Sequence, residues 1–133
     1  MQKVSAFIKA NKIEFTAARI IERPDNGMAD LPGASHWKTV FRRNGKTLTT
    51  YYSMGSAHTK PPKAEDVLDS LSGDAACAVN APTFREFCGD LGYDEDSRSA
   101  ERVFKACQRI HTQLVRFLGV LNTEALLFNT ERL

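Results

Sequence analysis

Apolar and polar positions alternate most regularly between residues 35 and 54. This stretch, "SHWKTVFRRNGKTLTTYYSM", contains two alternating runs joined by an Asn-Gly pair. Asn-Gly is typical of a two-residue type I′ turn, because both turn positions need a positive φ. The turn fixes the register of a β-hairpin, in which one face collects the large apolar side chains. We assign to that core face Trp37, Phe41, Leu48 and Tyr52.

An earlier segment completes the predicted sheet. The sequence "EFTAARIIE" is rich in β-branched and aromatic residues, and a turn signal at 24–27 follows it. We therefore predict a three-stranded antiparallel sheet over about residues 13–54.

Beyond residue 62 the apolar period becomes helical. We predict a first helix over 63–79, which Gly73 either ends or bends. Thr83 and Glu86 have capping-box spacing and open a short helix through Leu91. The inner face of the first helix is expected to carry Val67, Leu68, Leu71 and either Ala75 or Ala76.

A long amphipathic helix is predicted over about residues 97–119. At about 100° per residue, cations fall within one narrow arc opposite a continuous apolar face. A last short helix should begin at a cap, Asn122 or Thr123. We call the cations the basic stripe: Arg98, Arg102, Lys105, Arg109 and Arg116. The apolar face is expected to carry Ala100, Val103, Phe104, Cys107, Ile110, Leu114, Phe117, Leu118 and Leu121.

The order of these elements predicts the fold class. Strands come first and helices follow, which is typical of an α+β protein. We expect a single domain over residues 1–133, with three or four helices packed on one face of the sheet.

Composition and cysteine usage narrow the class of protein. An apolar fraction of 42% and a charged fraction of 26% are those of an ordinary globular protein. The longest apolar runs are too short for a transmembrane helix, and lysines interrupt the opening segment, so no signal peptide is predicted. The three cysteines do not suggest a disulfide framework. We therefore expect a cytoplasmic protein.

Charge is unevenly distributed although the net charge is only +2. Residues 1–62 and 97–133 are basic, whereas residues 63–96 carry nine acidic and two basic residues. Such a dipolar molecule can be steered toward a charged partner. The basic stripe is the leading candidate site, because cations on one helix face suit nucleic-acid phosphates or an acidic protein surface. The alternative is that the stripe pairs internally with the acidic segment 63–96.

The hairpin offers a second group of cations near the exposed position of Tyr51. Basic residues with an aromatic on a sheet face can bind single-stranded nucleic acid. The alternative is a solvated sheet face, because the other hairpin aromatics lie on the predicted core side. This candidate group comprises Lys38, Arg42, Arg43 and Lys46.

The residue types and their spacing give little support for metal binding or catalysis. Cys77, Cys88, Cys107 and His111 are the residue types that bind zinc, but the chain has no C-x-x-C pair. We interpret the cysteines as core thiols and predict no metal and no cofactor. The three histidines show no spacing that pairs them with a nucleophile, so we predict a non-enzymatic protein with no catalytic residues.

Two stretches resemble a family of small proteins encoded by phages and prophages. They are "SHWKTVFRRNGKTLTTYYSMGSAHTKPPKAEDVLDSLSGDAA" and "FCGDLGYDEDSRSAERVFKAC", within a resemblance that spans roughly Phe15 to Phe128. The family has no established activity and brings no catalytic residues. The resemblance implies an accessory protein that acts on the host cell, such as an anti-CRISPR or other counter-defence protein.

Three functional hypotheses follow. The first is a stoichiometric inhibitor that binds a host protein complex, for example a CRISPR effector, through the basic stripe or through an acidic segment that mimics nucleic acid. The second is a small nucleic-acid-binding accessory protein whose stripe and hairpin cations contact phosphates. The third, an enzyme such as a small nuclease or hydrolase, rests only on the presence of acids and histidines.

Overall fold

The computed structural model describes residues 2–20, 35–55 and 60–131. It confirms an α+β fold with a three-stranded antiparallel sheet and one long helix. The elements are, in chain order, β1 (Gln2–Lys3), α1 (Val4–Ala10), β2 (Glu14–Ile20), β3 (Ser35–Arg43), β4 (Lys46–Met54), α2 (Ala64–Asn80), α3 (Phe84–Leu91), α4 (Arg98–Leu118), α5 (Val120–Phe128) and β5 (Thr130–Glu131).

The sheet has the order β2-β3-β4, and its hairpin forms as predicted. Asn44 and Gly45 have φ values of 51° and 77°, the positive values that a type I′ turn requires. The predicted register is confirmed, with Trp37 opposite Tyr52 and Phe41 opposite Leu48. The turn segment at 24–27 lies outside the described residues.

Helices cover the face of the sheet that the alternation assigned to the core. Phe41 is fully buried and Leu48 nearly so. Phe15 on β2 stands opposite Phe41, and their ring centroids are 4.8 Å apart. The other members of this core come from the helices and the turn after α1: Val4, Phe7, Ile13, Val67, Leu68, Leu71, Ala75, Leu114, Phe117, Leu118 and Leu126.

The capping signals before and after α3 act as the sequence predicts. The Thr83 hydroxyl accepts the backbone N–H of Glu86 at 3.2 Å, and Gly92 ends the helix at a φ of 73°. α2 runs on without a break through Gly73. Ala75, which is fully buried, continues its inner face.

The end of α4 differs from the prediction. Gly119, at a φ of 85° and a ψ of 165°, ends α4, and α5 starts in the next residue with no side-chain cap. The predicted cap at Asn122 or Thr123 is therefore wrong, because both residues lie inside α5. Leu121 was also placed wrongly on the core face. Its exposed fraction is 81%, because the break at Gly119 interrupts the helical period that the prediction extended past it.

Two features were not predicted. α1 precedes the sheet, so the order is not strands first and helices after, and the described residues contain five helices. β1 and β5 pair in parallel, which brings Gln2 opposite Thr130 and joins the two ends of the described chain.

None of the helices in the described ranges combines the length and apolar character that crossing a membrane requires.

The break at Gly119 makes a buried threonine important for stability. The Thr123 hydroxyl lies 2.7 Å from the carbonyl oxygen of Gly119 and 3.2 Å from that of Leu114. It thereby ties α5 to the last turns of α4.

We expect Thr123→Val to lower the free energy of unfolding by about 1 kcal/mol, because it removes the buried hydroxyl donor, while the Gly119 carbonyl keeps the Thr123 backbone N–H at 3.0 Å. Thr112→Val is the matched control, since Thr112 is also helical and bonds a carbonyl, that of Gln108, but is exposed. Urea unfolding of both variants measures the difference. Equal losses would show that helix propensity, not the buried hydroxyl, accounts for the effect.

Candidate functional site

All five residues of the basic stripe are exposed on one side of α4. α4 has 21 residues, and its opposite side packs mainly against α2 and also against β4. From Arg98 to Arg116 the stripe extends about 27 Å at the rise of an α-helix. Because the packed side fixes the rotation of α4, the stripe is a rigid row of cations.

Acidic neighbours reduce the positive charge in the N-terminal half of the stripe. Lys105 Nζ lies 3.0 Å from Glu101 Oε1, one helical turn away. This ion pair is exposed and therefore stabilises the helix little, but it offsets one charge of the stripe. Arg98 follows an exposed acidic link at residues 94–96. These acids therefore offset part of the positive charge at the N-terminal end of the stripe.

The four hairpin cations do not form one surface. Lys38 and Arg42 lie on the open face of the sheet, where Lys38 stands opposite exposed Tyr51 and Arg42 donates to the Thr16 hydroxyl at 3.3 Å. Arg43 Nε instead donates to the carbonyl oxygen of Asn11 at 3.2 Å and so ties the hairpin to the end of α1.

The fourth hairpin cation meets the basic stripe. A groove of about 450 Å³ separates the start of β4 from the C-terminal half of α4. Lys46 and Arg116, from the two predicted groups, both line it. β4 contributes Lys46, Thr47, Leu48 and Thr49, and α4 contributes Gln113, Arg116 and Phe117. We call this site the β4–α4 groove.

Sequence reasoning did not identify the other residues of the groove. Thr47 and Thr49 alternate with the core-face residues of the hairpin and carry no charge, and Gln113 is also uncharged. The helical wheel held a partial signal, because Gln113 falls about 60° from Arg116 at 100° per residue. It could not show that this side of α4 faces β4.

The acids of the segment 63–96 lie along α2, where Asp69 and Asp74 are half-buried, and in a second group on α3 and the link after it. Glu65 and Asp66 lie in the first turn of α2, where the helix dipole favours them. The exposed acids of α3 and the following link come after the C-terminal end of α2, about 24 Å away along its axis. Within this second group Arg85 Nε lies 3.8 Å from Glu95 Oε1.

The cysteines behave as core thiols. Cys88 and Cys107 are buried and Cys77 is half-buried. Burial raises the pKa of Cys107 to about 12, with Asp74 and Cys77 adding to the rise. Burial and the nearby Glu95 and Asp94 also raise the pKa of Cys88. A raised pKa keeps a thiol protonated, whereas metal binding and nucleophilic attack need the thiolate.

The residue types that bind zinc do not come together as a site. Among the described residues, no three His, Cys, Asp or Glu side chains are placed to hold a metal ion. His111 is half-buried on α4.

One of the three histidines, His36, contacts a serine on the neighbouring strand, which the sequence analysis did not predict. His36 Nδ1 and Ser53 Oγ lie 2.8 Å apart across β3 and β4. The hairpin register places them directly opposite each other, so it could have revealed the contact. On the other side of His36 the register partner is Ile20, which offers the ring no polar group. His58 lies outside the described residues.

Comparisons with protein-family models, with curated proteins and with solved structures found no match to this chain.

The raised pKa of Cys107 predicts a pH dependence of stability. Between the ordinary thiol value of 9.0 and about 12, the folded state holds a proton that the unfolded state releases. Stability should therefore fall as pH rises through this window, by at most about 1.4 kcal/mol per pH unit.

Urea unfolding of the wild type and of Cys107→Ala at pH 7, 9 and 10.5 measures this effect. The variant should lose stability at pH 7 through its cavity, yet lose less than the wild type between pH 9 and 10.5. The same alkaline loss in both proteins would contradict the assignment to Cys107.

Proposed function

We propose that this chain is a non-enzymatic binding protein from a phage or prophage, which inhibits a host defence complex such as a CRISPR effector by occupying its surface. The observation that carries the proposal is the exposure of the whole basic stripe along one face of α4. The resemblance to small phage and prophage proteins supplies the biological setting.

A rigid row of cations suits binding better than a flexible one. The helical backbone of α4 is ordered by core packing before any partner arrives, so little backbone entropy is lost on binding. Charges on a fixed face also steer association and raise the rate of encounter with an acidic surface. Acidic protein surfaces and exposed guide-RNA phosphates are the features of an effector complex that such a row complements.

The acidic segment is less suited to the contact with the target. Glu65 and Asp66 lie at the start of α2, and the exposed acids of α3 and the link follow the helix. Asp69 and Asp74 between these two groups are half-buried, so the segment does not present one continuous exposed row. The basic stripe is therefore the better candidate for the inhibitory surface, and mimicry of nucleic acid is the weaker version of the proposal.

Inhibition should be stoichiometric and should depend on the stripe. We expect the purified protein to block target cleavage by a susceptible CRISPR effector complex, with inhibition saturating near one molecule per complex. The triple variant Arg98→Glu, Arg102→Glu, Arg109→Glu should raise the inhibitory concentration at least about tenfold, because each reversed contact costs an appreciable part of a kcal/mol or more.

A matched variant separates the stripe from net charge. Lys9→Glu, Lys60→Glu, Lys63→Glu changes the net charge equally at exposed positions away from the stripe. It should inhibit as the wild type does, and circular dichroism should show that both variants are folded. Equal loss of inhibition in both would refute a specific role for the stripe. No inhibition of any effector in a representative panel would refute this choice of target.

The junction of the stripe with the hairpin favours a second candidate, a nucleic-acid-binding accessory protein. Lys46 extends the cations beyond Arg116, and Lys38 with Tyr51 lies on the neighbouring open face. Together these groups offer phosphate contacts and one stacking side chain.

A fluorescence titration against labelled single- and double-stranded DNA and RNA tests this candidate. If several phosphates are contacted, affinity should fall by about a hundredfold or more between 50 mM and 200 mM salt. The triple stripe variant should bind more weakly and with a shallower salt dependence. Absence of binding at low salt by the folded protein would exclude this candidate.

A further inference from the structure

We propose that the β4–α4 groove binds an extended acidic segment of a protein partner, which adds to the sheet as a fourth strand beside β4. The inference rests on the proposed function, because it gives that binding protein a second contact with its partner. It uses Lys46 and Arg116, and it does not require the N-terminal half of the basic stripe.

The backbone of β4 carries hydrogen-bonding groups that no described strand pairs with. The two-residue turn makes Arg43 and Lys46 a hydrogen-bonded pair, and such pairs alternate along an antiparallel ladder. Thr47, Thr49 and Tyr51 therefore direct their N–H and C=O groups away from β3. In the described part of the chain β4 pairs with β3 alone, so these groups form an open edge.

This edge lacks most of the usual features that discourage strand addition. Natural edge strands are often short, bulged or interrupted by proline. β4 has nine residues, an uninterrupted register with β3 and no proline, and its only charged residue is Lys46 at its first position. An edge of this kind is a template for another strand.

The groove selects the chemistry of that strand. Lys46 and Arg116 give it positive charge, while Leu48 and Phe117 form an apolar floor. An added strand points alternate side chains toward this side, so acidic residues every second position suit the two cations. Lys46–Thr49 spans about 10 Å of edge at the rise of a strand, which fits three or four residues of the partner.

Two other occupants fit less well. A second copy that paired through its own β4 edge at this groove would bring the Lys46 and Arg116 of both copies together, and like charges in contact are unfavourable. Nucleic-acid phosphates only accept hydrogen bonds, so they cannot satisfy the outward C=O groups that alternate with the N–H groups. A peptide backbone offers both donors and acceptors in the matching pattern.

A display selection with random heptapeptides on the full-length protein identifies a probe. We expect the enriched peptides to be acidic. One of them, synthesised with a fluorescent label, is then titrated by anisotropy. The same peptide with alternate backbone amides methylated serves as the ligand control, because methylation removes the N–H donors and leaves the side chains intact. It should bind at least about tenfold more weakly.

Thr49→Pro tests the edge from the protein side. The Thr49 N–H points away from β3, so proline removes a docking donor without removing a bond of the β3–β4 ladder, as edge strands tolerate. Peptide affinity should fall at least about tenfold. Arg116→Glu should weaken the binding of acidic peptides by a similar factor, while Lys9→Glu, at an exposed position on α1, should leave it unchanged.

The outcomes separate this inference from the proposed function. Selection of no peptide, or equal binding of the methylated peptide, would overturn strand addition. If the protein dimerises without a peptide and Thr49→Pro abolishes the dimer, a second copy occupies the edge instead. If an oligonucleotide protects the Thr47 and Thr49 amides from hydrogen exchange, nucleic acid binds there. If no peptide binds while the protein still inhibits an effector, only this inference is refuted. If peptides bind but no effector is inhibited, only the proposed target falls.

Discussion

The packing of α4 against α2 and the sheet sets the direction of the basic stripe and one wall of the β4–α4 groove. Leu114 is fully buried and Phe117 nearly so, and both belong to the same core as Phe41 of the sheet. Burying side chains of this size stabilises the fold by about 1.5–3 kcal/mol each. Rotating α4 by one residue, about 100°, would place arginines in that core at far greater cost. The direction of the basic stripe is therefore a consequence of the core.

The turn at Asn44 is the second constraint, and it acts through register. A slip by one residue would exchange the two faces of the hairpin and expose Phe41. The same register decides which backbone groups of β4 point outward, so one short turn fixes both the core face and the open edge. The β4–α4 groove lies where that edge faces Arg116, and the packing of α4 fixes the direction in which Arg116 points.

Local patterns predicted most of the fold because the interactions they describe are local. The Thr83 cap, the Asn-Gly turn and the period of α4 each depend on neighbours within a few residues. α1 was missed because it has only seven residues and no side-chain cap. Leu121 was misplaced because a helical wheel has no means of knowing that Gly119 ends the helix.

The candidate site was predictable only in part, for a different reason. Each of its cations could be placed on a face of its own element from the sequence. The meeting of Lys46 with Arg116 joins residues 70 positions apart, and it depends on how α4 lies against β4. The hydrogen bond of Arg43 to a carbonyl at the end of α1 is likewise a tertiary effect.

The arrangement of charge along α4 bears on whether the stripe serves stability or binding. The helix dipole favours acids at the start of a helix and cations at its end, which accounts for the acidic link before α4 and for Arg116 in its last turn. It disfavours cations near the start, yet Arg98 is the first helical residue and Arg102 follows one turn later. Helix stability therefore accounts for Lys105, through its ion pair with Glu101, but gives no reason for Arg98 and Arg102. The proposed contact with an anionic partner would give these two residues a role, and the acids of the link offset the cost of that arrangement to the helix.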